Sequence, residues 1–592
     1  MNILDYPFDP AMILQKKRSL RRELSKKEGL IPKNIAIMSG STIGEIRNIL
    51  EVFLLANGIR PTFYEGGYSL FYENLVFDDG SLAAFKPDII YIHTSWRNLK
   101  NLPTQADSPE ACADKLQAEY ARFEQAWKAA ARFGCPVIQN NFDLPPYRVM
   151  GNLDAVDVHG RVRYVRAMNQ KLADYAAATP NFYVNDLAYL QAVHGMDNFS
   201  SQTAWYAYKY ACSIDCIPYL CQSVANIIKS LLGKNKKLVA CDLDNTLWGG
   251  IIGDDGPEGI VLGSETPTGM AYTEFQEYLR ELGRMGVLLS VCSKNEEANA
   301  LPGFERADSV LKRDDFVSFK ANWDPKHLNL AATAKEINIL PDSFVFMDDN
   351  PAEREIVRRE LPAVSVPELS APEEYIRAID RAGYFEATVL SADDRKRAEM
   401  YKQNQQRAAL EQSFGNYEDY LHSLEMVCEM GSFSPAHAER ITQLINKTNQ
   451  FNLTTRRYTA AEVESIMEDD NYITLYGKLV DKFGDNGIVT AMIGHVQGDV
   501  LEMDLWIMSC RTFKRRLEHA MFDEMVAKAA ARGIKKIVGH YYPTAKNLLV
   551  KDFYATIGFE QTAEDEAGNR TFEFTGFDGY KPQCGVMEIR RV

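Results

Sequence analysis

The stretch Leu238-Val239-Ala240-Cys241-Asp242-Leu243-Asp244-Asn245-Thr246-Leu247 constrains this chain more than any other. Its apolar start reads as a buried strand, and the polar turn after it places two carboxylates at the strand's end. In a parallel α/β sheet, ligands bind outside the carboxyl ends of strands. One carboxylate there, Asp242, can serve as a nucleophile and the other, Asp244, as acid and base. Taken alone, a capped turn with two aspartates explains the same residues.

Three further signals follow at strand ends or helix starts. The run Val287-Leu288-Leu289-Ser290-Val291-Cys292 stops at Ser293-Lys294-Asn295, a hydroxyl and two donors suited to a phosphate oxygen. Next, Asn322-Trp323-Asp324-Pro325-Lys326 opens a helical stretch, and its lysine can reach phosphate as a point charge. Lys320 is the poorer candidate, because it precedes that turn. Finally Phe344-Val345-Phe346-Met347 ends at Asp348-Asp349-Asn350-Pro351, a paired acid site fit for a hard cation. Four motifs in this order resemble the signature of the haloacid-dehalogenase-like (HAD-like) phosphohydrolases. Trp248-Gly249-Gly250 running into Gly253-Asp254-Asp255-Gly256, with Glu353-Arg354 after the last motif, narrows the resemblance to the FkbH-like (class IIIC) branch over residues 236–365. Only positions 245 to 292 separate Asp244 from Ser293, enough for one helix and a Gly-rich flap but not for a large cap domain. The site is expected to be open to a bulky or protein-borne substrate.

The resemblance implies a set of roles. Asp242 attacks phosphorus, and Asp244 protonates the leaving oxygen and then deprotonates water. Mg²⁺ is the expected metal, held by the Asp242 carboxylate, the Asp244 backbone carbonyl and Asp348, with Asp349 beside it. Ser293 and Lys326 hold the equatorial oxygens. The FkbH-like family is associated with taking a glyceryl group from 1,3-bisphosphoglycerate and passing it to the phosphopantetheine thiol of an acyl carrier protein. Such a transfer needs a relay, and Cys292, next to Ser293, is the candidate, with Cys241 the other nearby thiol. The competing reading of both is a small hydrophobe in a buried strand, since alternation turns Cys292 and Ser293 to opposite faces. Two other functions stay open: a plain phosphatase on a sugar or metabolite phosphate, and a scaffold that binds carrier proteins without catalysis.

With 592 residues the chain is too long for one core. The expected architecture is α/β multidomain: a helical extension over 1–33, a doubly wound domain over 34–232, a HAD-like Rossmannoid core without a large cap over 233–383, a helical connector over 384–405, and a second α/β domain over 406–592. A net charge of −15 argues against nucleic acid or an anionic membrane as partner. An acidic carrier would then need a local basic patch, for which the run from Arg511 to Arg516 and the pair Arg456-Arg457 are candidates. The ten cysteines are scattered without disulfide or zinc spacing, Cys212 and Cys216 reading as one helical face. No run approaches the roughly 20 apolar residues of a membrane span, so a reducing cytoplasm is the expected location.

In the first large domain, Ser39-Gly40-Ser41-Thr42, His93-Thr94 and Asn140-Asn141 close successive strands, an order that resembles the SGNH/GDSL hydrolases. The late Asp-x-x-His of that family has no counterpart: Asp186 and His194 are eight apart, and Asp197 has no His three residues later. An SGNH-like fold is expected, with Ser39 or Ser41 either a nucleophile or a turn residue. Toward the C-terminus, strands feeding a helix and a closing Phe553-Tyr554-x-x-x-Gly558-Phe559 resemble the GNAT acyltransferases. That resemblance implies a grip on coenzyme A or phosphopantetheine at Arg511, with Lys514 and Arg516 standing where the family's loop has glycines. Asp485-Asn486-Gly487 is expected to turn a hairpin.

Overall fold

The computed structural model describes residues 3–544 and 546–592, without the side chains of Ala392, Asp393, Ala398 and Cys510. Asp393 of the expected connector and Cys510 beside Arg511 thus lie outside the described side chains. The chain forms two compact units, residues 1–231 and 232–592, and the divisions expected at 383 and 405 fall inside the second.

In the first unit a helix, Pro10–Leu24, starts where Asp9 accepts the amides of Ala11 and Met12 and proline occupies the first turn. Five parallel strands follow: β1 (Ile31–Ser39), β2 (Ile59–Glu65), β3 (Ile89–His93), β4 (Val137–Asn140) and β5 (Phe182–Asn185). Their order is β2-β1-β3-β4-β5, which is doubly wound and reverses direction between β1 and β3. β1 begins inside the stretch expected to be a helical extension. β2 carries no aliphatic run and includes Pro61, so only its place at the sheet edge makes it a strand.

In the second unit β6 (Leu238–Cys241), β7 (Leu288–Ser293), β8 (Phe316–Ala321) and β9 (Phe344–Met347) form a parallel sheet in the order β8-β7-β6-β9. Period-two alternation divides their side chains between two cores. Val239, Cys241, Val291 and Met347 pack with Phe275 on one face, and Leu238, Ala240, Cys292 and Phe346 pack with Leu330 on the other. Helices therefore cover both faces and leave the carboxyl edge free for polar groups. Between β6 and β7, Gly249 pairs with Val261 across a flap, and the helix Ile252–Gly259 within it is broken at Gly256 (φ 69°, ψ 170°).

The rest of this unit begins with the helix Arg397–Glu411, which extends past the expected connector. Then come β10 (Met426–Gly431), β11 (Phe451–Asn452), β12 (Tyr472–Asp481), β13 (Gly484–Gln497), β14 (Val500–Met508), β15 (Lys536–Tyr541), β16 (Glu560–Glu564), β17 (Arg570–Phe574) and β18 (Met587–Arg591). They form a mixed sheet in the order β16-β17-β15-β14-β13-β12-β10-β18, with β11 against β14. The expected hairpin at Asp485-Asn486-Gly487 is corrected: the turn lies at Lys482-Phe483, where Asp481 pairs with Gly484. Gly487 sits inside β13 at φ 70°, its amide donating to Asp485 Oδ1 at 2.7 Å, beside a register shift opposite Lys478. The glycine permits an irregular strand rather than a turn. Among the described residues, no helix is long and apolar enough to cross a membrane.

Candidate active site

All four strand ends of the β6–β9 sheet contribute. Asp242 follows β6, and its amide donates to Met347 O at 2.9 Å, locking the loop after β6 to the end of β9. Lys326, at the start of the helix Lys326–Glu336, is 3% exposed and its Nζ lies 2.7 Å from Asp242 Oδ2 and 2.6 Å from Asp348 Oδ2. Burial works against the lysine's charge, but the two carboxylates prevail and hold its pKa above the ordinary value. Burial, followed by the neighbouring charge of Asp242, pushes the Asp348 carboxyl up to about 7 against the pull of Lys326. Burial also raises Asp349. Carboxylate oxygens of Asp242, Asp348 and Asp349 lie within 4.8 Å of one another. An oxygen-only donor set of this kind fits a hard divalent cation. Ser293 is buried at the end of β7, its carbonyl taking the Asn322 amide at 3.2 Å.

Asp244 faces the flap, so any contribution it makes to a metal comes from its backbone. Its Oδ1 accepts Trp248 Nε1 at 2.9 Å and the Ile252 amide at 3.0 Å, and its Oδ2 accepts Asn295 Nδ2 at 3.1 Å. Desolvation nevertheless raises its pKa, as an acid catalyst requires. The loop that follows the two aspartates is tied from behind. Asn245 adopts φ 53°, and its carbonyl takes the hydroxyls of Tyr375 at 2.9 Å and Tyr272 at 3.3 Å. Arg354 donates to the carbonyls of Asp348 and Asp349 at 2.8 and 2.7 Å and to Glu368 at 3.0 Å. Sequence reasoning assigned no role to Trp248, Tyr272, Arg354 or Tyr375. Trp248 and Arg354, the latter five residues after Asp349, stand in the motifs that carry the family resemblance, and the tyrosines carry no such signal.

The remaining candidates sort by position. Lys320 is bound to Glu336 at 2.8 Å and does not enter the site. Cys292 is 1% exposed, packs among aliphatic side chains and donates to Lys326 O at 3.5 Å, while burial pushes its thiol well up. Cys241 is equally enclosed and likewise raised by burial. A relay thiol needs access and thiolate character, and neither cysteine has them.

In the first unit, Ser39 and Ser41 are both buried at the reversal point. Asp186 and His194 do not join them: Asp186 caps the helix Leu187–His194, and the His194 ring packs on Tyr219 at 4.0 Å between centroids. Ser41 instead meets His93, with Oγ 3.0 Å from Nε2. Asn140 holds the ring from its other side. Its Nδ2 donates to Thr94 O at 3.2 Å and faces His93 Nδ1 at 3.0 Å, and its Oδ1 accepts from Tyr91 and Asn185. Tyr91 Oη also lies 3.0 Å from Nδ1, so that nitrogen meets an amide and a phenol where a serine–histidine–aspartate triad has a carboxylate, and the pair lacks the triad's third member.

Burial lowers the His93 pKa to about 4. A histidine depressed in the folded state contributes stability that is full above its unfolded value and lost as pH falls through the folded one. Acidification from pH 7 toward 4 should cost the first unit on the order of 3 kcal/mol through this group. Thermal melts of His93→Gln should show a correspondingly flatter acid limb than the parent protein; equal slopes would remove His93 as the cause.

Toward the C-terminus, Lys514 and Arg516 are exposed, with φ 65° and 62°. Both thus hold the left-handed backbone that glycine adopts without strain. Arg511 is half-buried, with Nε donating to Ser509 Oγ at 3.2 Å. Two residues of the expected basic patches are spent internally. Arg515 joins Arg407 on the buried Asp481, and Arg457 donates to the carbonyls of Ile445 and Thr448. Arg456 pairs with Asp504 at 2.6 Å.

A family model described as the FkbH N-terminal domain matches residues 55–229. No curated protein matches the chain. Among solved structures, the N-terminal part of the protein BF1531 from Bacteroides fragilis, containing a phosphatase domain complexed with Mg, is 28% identical. That match covers 63% of this chain and 99% of that one, with a TM-score of 0.59. The ribosomal-protein-S18-alanine N-acetyltransferase from Escherichia coli matches 25% of this chain and 90% of its own at 11% identity, with a TM-score of 0.20. A GNAT-family acetyltransferase from Streptococcus pneumoniae gives 25%, 98%, 16% and 0.21 for the same quantities. At such scores the acetyltransferase likenesses bear no weight.

Proposed function

We propose that the β6–β9 sheet carries a magnesium-dependent phosphohydrolase site of the HAD-like, FkbH-like kind. The convergence of Asp242, Asp348 and Asp349 around the buried Lys326 is the observation that carries this reading. Support also comes from the likeness to a phosphatase domain that was solved with Mg.

Asp242 attacks phosphorus in line, forming an aspartyl phosphate as the bond to the leaving oxygen breaks. Asp244 supplies the proton. Two donors saturate its Oδ1 and one reaches Oδ2, so Oδ2 carries the hydrogen that passes to the leaving group. In the second half Asp244 takes a proton from water, which attacks the aspartyl phosphate and releases inorganic phosphate. Lys326 and Ser293 hold the phosphoryl oxygens. Asp242, Asp348 and Asp349 would hold a magnesium ion, which would neutralise charge on the phosphate.

One substrate reading, carried by the family resemblance, is 1,3-bisphosphoglycerate, with a carrier-protein thiol as acceptor of the glyceryl group. The enclosed Cys292 gives that transfer no relay in this sheet, so the carrier thiol would itself attack the acyl carbon and expel the acyl phosphate as inorganic phosphate, with Asp242 acting only on the phosphate ester at the other end of the molecule. The left-handed backbone at Lys514 and Arg516 favours a pantetheine or coenzyme A site in the C-terminal portion, with those cations and Arg511 toward the phosphates. A plain phosphatase acting on a sugar phosphate is the competing reading, and the exposed, fixed indole of Trp323 favours it. Phosphate release from generated 1,3-bisphosphoglycerate, with and without EDTA and with pantetheine as acceptor, tests both. Release abolished by EDTA is expected, and a glyceryl thioester by mass spectrometry would establish transfer. Metal-independent release, or none, would defeat the proposal.

A further inference from the structure

Trp323 lies within a motif of the site yet has no part in the chemistry above. It is 67% exposed. Its position is nonetheless fixed, because the indole Nε1 donates to Glu296 Oε1 at 2.8 Å. The loop beneath it is tied down as well. Asn322 donates to the Ser293 carbonyl, its Oδ1 takes the Asp324 amide at 3.0 Å, and Asn329 Nδ2 returns to it at 2.8 Å. A large apolar ring held in place in water gains nothing for folding, whereas at the mouth of a binding site it is a surface already ordered for contact.

Its location selects the contact. Glu296, which holds the indole, follows Asn295, and Asn295 holds the acid Asp244. The flap meets the same residues, with Gly253 beside Asn295 and the Ile252 amide donating to Asp244. Trp323 is thus joined, through Glu296 and its neighbour Asn295, to the group that protonates the leaving oxygen, the end of the site from which the organic part of the substrate must project. With no large cap over the site, recognition of that part falls to the rim. Asp324, next in sequence to the indole, and Asp254, in the flap helix, carry exposed carboxylates. An aromatic face takes the C–H face of a saturated ring, and carboxylates accept hydrogen bonds from hydroxyls.

We infer that Trp323 is a specificity-determining residue that stacks on the leaving group and favours a polyhydroxylated ring, such as a sugar, over a short open chain. The inference rests on the phosphohydrolase reading and bears on its substrate class. The experiment compares glucose 6-phosphate with glycerol 3-phosphate, two primary-alcohol phosphates that differ in the ring, and includes acetyl phosphate as a probe of the chemistry itself. The protein is expected to prefer the ring. Trp323→Ala should reduce the ratio of kcat/KM for glucose 6-phosphate to that for glycerol 3-phosphate about tenfold, mainly through KM, and Trp323→Phe should keep most of it. A ratio unchanged in Trp323→Ala, or an open chain preferred by the parent protein, overturns the inference. Turnover of acetyl phosphate but of neither monoester overturns it while leaving the phosphohydrolase intact. Turnover of none of the three defeats the phosphohydrolase reading itself, and the inference with it.

Discussion

Asp242→Asn is expected to lower phosphate release by on the order of 10³–10⁴-fold or more, because the amide cannot form the aspartyl phosphate through which both half-reactions pass. The fold should survive. The substitution is isosteric, and the backbone bond from residue 242 to Met347 O does not involve the side chain. Lys326 would retain Asp348 as its partner at 2.6 Å, so no uncompensated charge is left buried. Phosphate release under saturating Mg²⁺, with thermal melting of the same sample, checks both halves of the expectation. A variant within tenfold of the parent would show that Asp242 is not the nucleophile. Trapping a phosphorylated aspartate in the parent, and its absence in the variant, would identify the residue directly.

The parts of this site that are legible in the sequence are those where one residue type at one strand end suffices. Asp242, Ser293, Lys326 and Asp348 each follow an apolar run or open a helix, and parallel strands bring their ends to one edge whatever else the chain does. The groups that aim these residues are not legible in that way. Tyr375 reaches the Asn245 carbonyl from 130 positions away, and nothing in its local pattern distinguishes it from a core tyrosine. His93 stands at a strand end like the catalytic residues, but its role depends on what meets its Nδ1, which only three-dimensional partners determine. The edge strand β2 and the irregularity at Gly487 were hidden for a related reason. Both are set by a neighbouring strand rather than by local propensity. Trp323 sat in plain view between two motif residues, and only its exposure and its bond to Glu296 separate it from an ordinary buried indole.

Lys326→Met should produce two opposed effects that a metal titration can separate. Removing the ammonium leaves the Asp242 and Asp348 carboxylates facing each other without a counter-charge, and breaking a buried ion pair from one side costs about 3–5 kcal/mol. That cost depends on pH. The Asp348 carboxyl already stands at about 7, so its stabilising proton is bound in the folded state at low pH and lost as pH rises through that value. Without Lys326 the carboxyls hold a proton more firmly still, and the loss of melting temperature should be larger at pH 8 than at pH 6. Magnesium should reverse much of it, because a divalent cation on the same oxygens replaces the missing charge and stabilises the folded state in proportion to its occupancy. Activity should not return with stability. The lysine also holds a phosphoryl oxygen, so kcat/KM is expected to stay at least 10²-fold below the parent when Mg²⁺ is saturating. Melting curves at both pH values with and without Mg²⁺, beside phosphate release, resolve the two roles. If magnesium leaves the melting temperature unmoved, the three carboxylates are not the metal site; if it restores activity along with stability, Lys326 is only a counter-ion and does not touch the phosphate.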